Sequence, residues 1–218
     1  MTEIIETEME GHPAGVLTGP NLAKEIVKGQ AAASVIAMVD DTIARKLQKV
    51  FKTGLFRVYT NDDVIGCELG GALKNIIAIA TGMGDGSGAG ENTRAAIITR
   101  GLAELSRLGI AMGGQPATFA GLAGMGDLVA TCSSEKSRNR TVGYQLGLGR
   151  KIGDIIEEMA EVAEGVKTAK VVMALAKKYN INMPIATEVY KVLYEENTAR
   201  DAFRGLLRMD VGSEAEPG

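Results

Sequence analysis

"AAASVIAMVDDTIARKLQKVFKTGLFRVYTN", residues 31–61, holds two patterns that exclude each other as a single element. AAASVIAMV is almost apolar at every position, the mark of a strand buried on both faces. DDTIARKLQKVFKTG repeats its apolar residues at helical spacing, with Asp41 as a candidate cap and Gly54 as a stop. LFRVYTN returns to a strand. Upstream, AGVLTG is a short β-branched run broken by Gly19 and Pro20, and NLAKEIVKG is a short helix opened by Asn21. Strand, helix, strand, helix, strand is the rhythm of a sheet covered by helices. About 65 residues are too few for a complete doubly wound domain, so this segment is expected to be part of one.

From Val64 onward the spacing turns helical. ELGGALKNIIAIA places Leu69, Ala72, Leu73, Ile76, Ile77 and Ala80 at helical spacing, and NTRAAIITRGLAELSRLGIAMG is a long helix from near Asn92 to near Gly109. TAKVVMALAKKYN and PIATEVYKVLYEE form a later pair, with Pro184 in the first turn of the second. No internal repeat is evident.

Composition narrows the chemistry. The net charge is -3 over 218 residues, with 45% hydrophobic residues and no Trp, which gives no electrostatic case for nucleic acid. The single His12 and the separated Cys67 and Cys132 fit neither a metal spacing nor a disulfide scaffold. No apolar run is expected to reach the length of a membrane span. The acidic start lacks a secretory pattern, so the expected location is cytoplasmic.

Three places could carry function. Lys74 has Gly70 and Gly71 one turn before it and Ile77 and Ala78 one turn after. It is either a lysine whose stem crosses an apolar face to reach water, or a partly desolvated one that exchanges a proton with a substrate. GMGDGSGAGEN, residues 82–92, lacks the Lys-Ser/Thr ending of a phosphate loop and follows a helix. It is expected to be a tight glycine-rich connection between helices. Asp127, set among small residues, precedes Ser137, Arg138 and Asn139. A planar guanidinium, two neutral donors and a carboxylate suit a small phosphorylated, hydroxylated molecule. The plainer alternative is an N-cap followed by a solvated cationic helix start. Arg140 is expected to be surface charge or a salt-bridge partner.

ELGGALKNIIAIATGMGDG, NTRAAIITRGLAELSRLG, TFAGLAGMGDLVATC and SRNRTVG closely resemble the bacterial NAD(P)-dependent glycerol-3-phosphate dehydrogenases. GVLTGPNLAKEI and EVAEGVKTA extend the likeness from about Ala14 to about Phe203. The resemblance implies an enzyme that reduces dihydroxyacetone phosphate to sn-glycerol 3-phosphate with NAD or NADP for glycerophospholipid synthesis, usually as a homodimer. It implies an α/β remnant of a Rossmann-type domain (residues 1–63) and an all-α helical substrate domain (64–205), and the polar composition of the tail leads to the expectation that residues 206–218 are disordered.

It makes Lys74 the general base in oxidation and proton donor in reduction. Gly19 and Asn21 would touch the substrate, although many relatives carry Ser or Thr in place of Asn21. Asp127, Ser137, Arg138 and Asn139 would hold its hydroxyl and phosphate groups, and Ala23, Arg138, Val162 and Glu164 would line the cofactor. The chain departs from the family in having no strand followed by G-x-G-x-x-G/A, so it is expected to be a fragment beginning late in the Rossmann domain and inactive alone. The alternatives are a related hydroxy acid dehydrogenase, which would lack GMGDLVATC followed by SRNR, and a non-catalytic binding or assembly module.

Overall fold

The computed structural model describes residues 1–159 and 163–208. It divides into two compact units, Met1–Gly71 with Gly109–Asp127, and Ala72–Leu108 with the chain from Leu128 onward. Helices α4 (Val64–Gly86) and α5 (Glu91–Ala111) each run through a division.

The first unit opens with α1 (Thr2–Glu8), β1 (Val16–Thr18), α2 (Ala23–Val27), β2 (Ala32–Ala37), α3 (Asp41–Phe51) and β3 (Phe56–Asn61). β2 is central, antiparallel to β1 with Val16 opposite Ala37, and parallel to β3 with Ala32 opposite Phe56. The two-sided apolar pattern of β2 becomes two cores. Val35 and Ala37 pack with Cys67 and Ala123 on one face, while Ile36 and Met38 pack with Ala44 and Val58 on the other.

The cap of α3 is Asp40 rather than the expected Asp41. Asp40 Oδ1 accepts from Ile43 N at 3.1 Å, because a cap must stand outside the helix, three residues before the N–H it receives. Asp41, already helical, accepts from Arg45 Nε instead. The helix ends at Phe51, before Gly54. Buried Asp63 opens α4, its Oδ1 accepting from Gly66 N at 2.8 Å and its Oδ2 from Gln115 N at 2.7 Å. The short α6 (Pro116–Phe119) and a π-helical turn, Leu122–Gly126, complete the unit.

The second unit is helical, with α7 (Asp127–Ser133) leading into it, followed by α8 (Arg138–Gly147), α9 (Ile152–Glu158), α10 (Glu164–Tyr179), α11 (Pro184–Tyr194) and α12 (Ala199–Leu207). The expected class, a small α/β sheet followed by a helical region, is the one found. Pro184 stands at the start of α11 as its fixed φ favours. The free N–H groups behind it are met from α5, where Glu104 Oε1 accepts from Ile185 N at 2.7 Å and Oε2 from Ala186 N at 3.1 Å. Burial, which outweighs those two bonds, pushes the Glu104 carboxyl up to about 7.

A Thr198–Asp201 capping box opens α12, which continues through Leu207. Most of the expected disordered tail, residues 209–218, lies outside the described residues. One expectation needs correcting. By length and composition α4 could cross a bilayer, but 56% of its most apolar stretch is buried inside the protein, and it carries Glu68, Lys74 and Asp85. Its burial and its charged residues are those of a core helix.

Candidate functional site

In the first unit the Gly19-Pro20-Asn21 turn lies flat on β2. Gly19 has φ +126, and a Cβ there would stand 3.2 Å from Ser34 Cα. That close approach and that backbone angle both require glycine. Asn21 does not cap α2, whose N-cap is Leu22 with no side-chain bond. Its Nδ2 donates to the fully buried Ser34 Oγ at 3.0 Å, so the amide anchors the turn to the sheet. Ala23 is exposed at the first position of α2.

The bare run Gly121–Asp127 also packs backbone on backbone. A Cβ at Gly70 of α4 would lie 2.5 Å from Ala123 O, and one at Gly124 would strike the Phe119 backbone. Gly126 approaches Pro20, its Cβ position 3.6 Å from the ring, which brings the turn bearing Gly19 and Asn21 beside the segment that ends in buried Asp127.

In the second unit the expected glycine-rich loop at 82–92 is half helix, since α4 continues to Gly86. Its glycines serve contact with α8. Cβ atoms at Gly82 and Gly86 would strike the carbonyls of Arg140 and Tyr144, and Cβ atoms at Gly143 and Gly147 would meet those of Ile79 and Met83. Two G-x-x-x-G faces thus interlock, and the start of α8 is held against the middle of α4. Lys74 is half-buried on that helix.

At the start of α8, Ser137 is the N-cap, its Oγ accepting from Arg140 N at 3.3 Å. Exposed Arg138 pairs through Nη2 with Glu164 Oε1 at 2.8 Å, joining two residues expected at the cofactor. Asn139, 4% exposed, accepts from Gly165 N through Oδ1 at 2.9 Å. Gly165 in turn comes close to Asn75, its Cβ position 2.9 Å from Asn75 O. The residue after Lys74, the Ser137–Asn139 turn and the start of α10 therefore meet in one place.

Arg140 is a salt-bridge partner and not surface charge. It is 16% exposed and reaches Asp85 Oδ2 through Nε at 3.0 Å and Nη2 at 2.7 Å, while Arg94 takes Asp85 Oδ1 at 2.8 Å. Two arginines two residues apart have opposite tasks, one exposed and one holding α8 to α4. Asp85, Gly165 and Glu104 went unmarked in the sequence reading, although the paired G-x-x-x-G spacings at 82/86 and 143/147 were there to find. Val162 lies outside the described residues.

Each unit also buries one free cysteine, Cys67 in the first and Cys132 in the second, both 0% exposed. Burial pushes Cys132 up to about 11, partly offset by a Thr81 hydrogen bond and the Lys74 charge. Burial, then the Asp63 charge, pushes Cys67 up to about 12.

A family model described as NAD-dependent glycerol-3-phosphate dehydrogenase C-terminus matches residues 63–204, and its N-terminus counterpart matches residues 1–44. The chain belongs to this family. Among curated relatives it is 65% identical over 218 residues to glycerol-3-phosphate dehydrogenase [NAD(P)+] 2 of Sphingopyxis alaskensis, covering 100% of this chain and 66% of that one. To the Mycobacterium avium glycerol-3-phosphate dehydrogenase [NAD(P)+] it is 54% identical over 98% of this chain and 63% of that one. The crystal structure of glycerol-3-phosphate dehydrogenase from Coxiella burnetii superposes with a TM-score of 0.90 at 41% identity, covering 95% of this chain and 64% of that one.

The chain thus spans just under two thirds of the length of these relatives. The C-terminal glycerol-3-phosphate dehydrogenase match contains Lys74, Asp127, Ser137, Arg138, Asn139 and Glu164, and the N-terminal match contains Gly19, Asn21 and Ala23.

Proposed function

We propose that these residues form the substrate side of an NAD(P)-dependent glycerol-3-phosphate dehydrogenase that reversibly reduces dihydroxyacetone phosphate to sn-glycerol 3-phosphate. Residues 1–63 are the end of its dinucleotide-binding domain and 64–205 its substrate domain. The observation that carries the reading is which atoms of this turn are left to donate. Ser137 Oγ already accepts from Arg140 N and Asn139 Oδ1 from Gly165 N, so the hydroxyl hydrogen and Nδ2 remain to donate. Arg138 has only donors, and a phosphate only accepts at neutral pH. Three adjacent residues thus offer an anion what it needs, the guanidinium at the exposed edge and Ser137 and Asn139 buried behind it.

Lys74 donates the proton to the C2 oxygen in reduction, takes it back in oxidation, and as a cation stabilises the developing alkoxide. Asp127 accepts from a substrate hydroxyl. Gly19 and Asn21 border the substrate, Asn21 with its Oδ1, since Nδ2 is held by Ser34. The cofactor fit is partial. Of the residues assigned to it, Ala23, Arg138 and Glu164 are exposed and Val162 lies outside the described residues, while among the described residues no strand is followed by G-x-G-x-x-G/A to hold a pyrophosphate. When bound, the nicotinamide supplies the hydride at C2. The reading extends to a cytoplasmic homodimer that supplies glycerophospholipid synthesis.

The test joins these residues to the N-terminal segment of the Sphingopyxis alaskensis relative and follows nicotinamide oxidation with dihydroxyacetone phosphate. The extended chain turns over and the 218 residues alone do not. Lys74→Ala in the extended chain lowers kcat by about 10²–10⁴-fold with little change in KM. No turnover by the extended chain overturns the assignment, turnover by the 218 residues alone overturns only the expectation that they are inactive by themselves, and a preserved kcat with a raised KM in Lys74→Ala overturns the proton-transfer role of Lys74.

A further inference from the structure

We propose that Gly165 is a positioning residue of this site, its N–H fixing the Asn139 amide and its bare Cα letting α10 close on α4. The proposal rests on the reading that Asn139 binds the substrate phosphate. Gly165 is the second residue of α10, where a backbone N–H has no partner within its own helix. The N-cap, Ala163, has no side chain to meet it. Asn139 on α8 does so from 26 residues away, at 2.9 Å.

A backbone N–H can only donate, so the amide oxygen must face it and Nδ2 must be the end left for a ligand. Glycine here answers to space and not to backbone angle, since its φ is not among the positive ones. A Cβ would stand 2.7 Å from Asn139 Oδ1 and 2.9 Å from both Asn75 O and Ile79 Cδ1. Two of these three are held, one by its hydrogen bond and one by the α4 backbone. An added methyl therefore breaks the Asn139 bond or lifts α10 from α4. Glu164, one residue earlier, would move with it and draw on Arg138.

The experiment compares Gly165→Ala and Asn139→Asp in the extended enzyme, measuring melting temperature, kcat and both Michaelis constants. Asn139→Asp keeps the acceptor for Gly165 N–H but replaces the donor with a charge that repels phosphate. Both variants are expected to raise KM for dihydroxyacetone phosphate about tenfold or more, with kcat within about threefold of the parent. A raised KM in Asn139→Asp with unchanged constants in Gly165→Ala, whatever its melting temperature, overturns the positioning role and leaves the phosphate reading standing. An unchanged KM in Asn139→Asp overturns the phosphate reading and the proposal with it. Should Gly165→Ala fail to fold, hydrogen exchange at the Gly165 amide of the parent decides. Slow exchange that is independent of substrate supports the proposal, and the fast exchange of a partnerless first-turn amide overturns it.

Discussion

Gly143→Ala places a methyl where α4 leaves no room. The Ile79 carbonyl oxygen occupies the position, with Ile79 C at 2.8 Å and Met83 N at 2.9 Å from the new carbon. Overpacking costs about 1–3 kcal/mol. The upper end applies, because the obstructing atoms are helix backbone and cannot rotate away. Alanine returns about 1 kcal/mol of helix propensity, so the net loss is about 2 kcal/mol, or roughly 4–8 °C in a chain of this size. The kinetic effect is larger if α8 carries the phosphate donors, because a shift of about 1 Å at its start costs on the order of 10²-fold in kcat/KM. Thermal melting and steady-state kinetics on the extended enzyme measure both. Gly153→Ala on α9, where a Cβ meets nothing within 4 Å, is the control and gains stability. If Gly143→Ala melts with Gly153→Ala and keeps its kcat/KM, the interlocked faces do not hold the site.

The two arginines of the SRNR turn should separate cleanly. Arg138→Lys loses the planar fork and lowers kcat/KM by roughly 10–100-fold, whereas Arg140→Lys weakens the bond to Asp85 and costs about 1–2 kcal/mol of stability with unchanged Michaelis constants; equal kinetic losses would defeat this division. Glu104→Gln should alter the pH dependence of stability. Folding raises the Glu104 pKa from 4.5 to about 7, so its contribution is full below pH 4.5 and is lost as pH rises through 7, on the order of 3 kcal/mol in all. Urea unfolding at about pH 5 and about pH 8 should show the parent gaining on Glu104→Gln at the lower pH; parallel profiles would mean the buried carboxyl is not titrating.

The sheet was legible because β2 states its two-sided burial in its own residues, and the change to helix at Val64 is where α4 begins. Local readings failed where two explanations share one residue type. Glycine signals a loop when read along the chain, yet Gly82 and Gly86 are helical, because what requires them is α8, some sixty residues away. Of the adjacent Asp40 and Asp41, either could cap, and only the chain path chooses. Asn21 reads as a cap and is a strut to Ser34. The SRNR cluster was visible as chemistry, but its division of labour was not. That division depends on Glu164, Gly165 and Asp85, partners whose spacing of 26 to 55 residues leaves no periodic trace.

The burial of one cysteine in each unit has a practical consequence. Alkylating reagents attack the thiolate, and both thiols are enclosed and held protonated near neutral pH. Neither side chain can be labelled without an opening of the fold around it. Labelling at Cys67 therefore times the opening of the sheet-bearing unit and labelling at Cys132 that of the helical one, two clocks in one polypeptide that mass spectrometry can read from separate peptides.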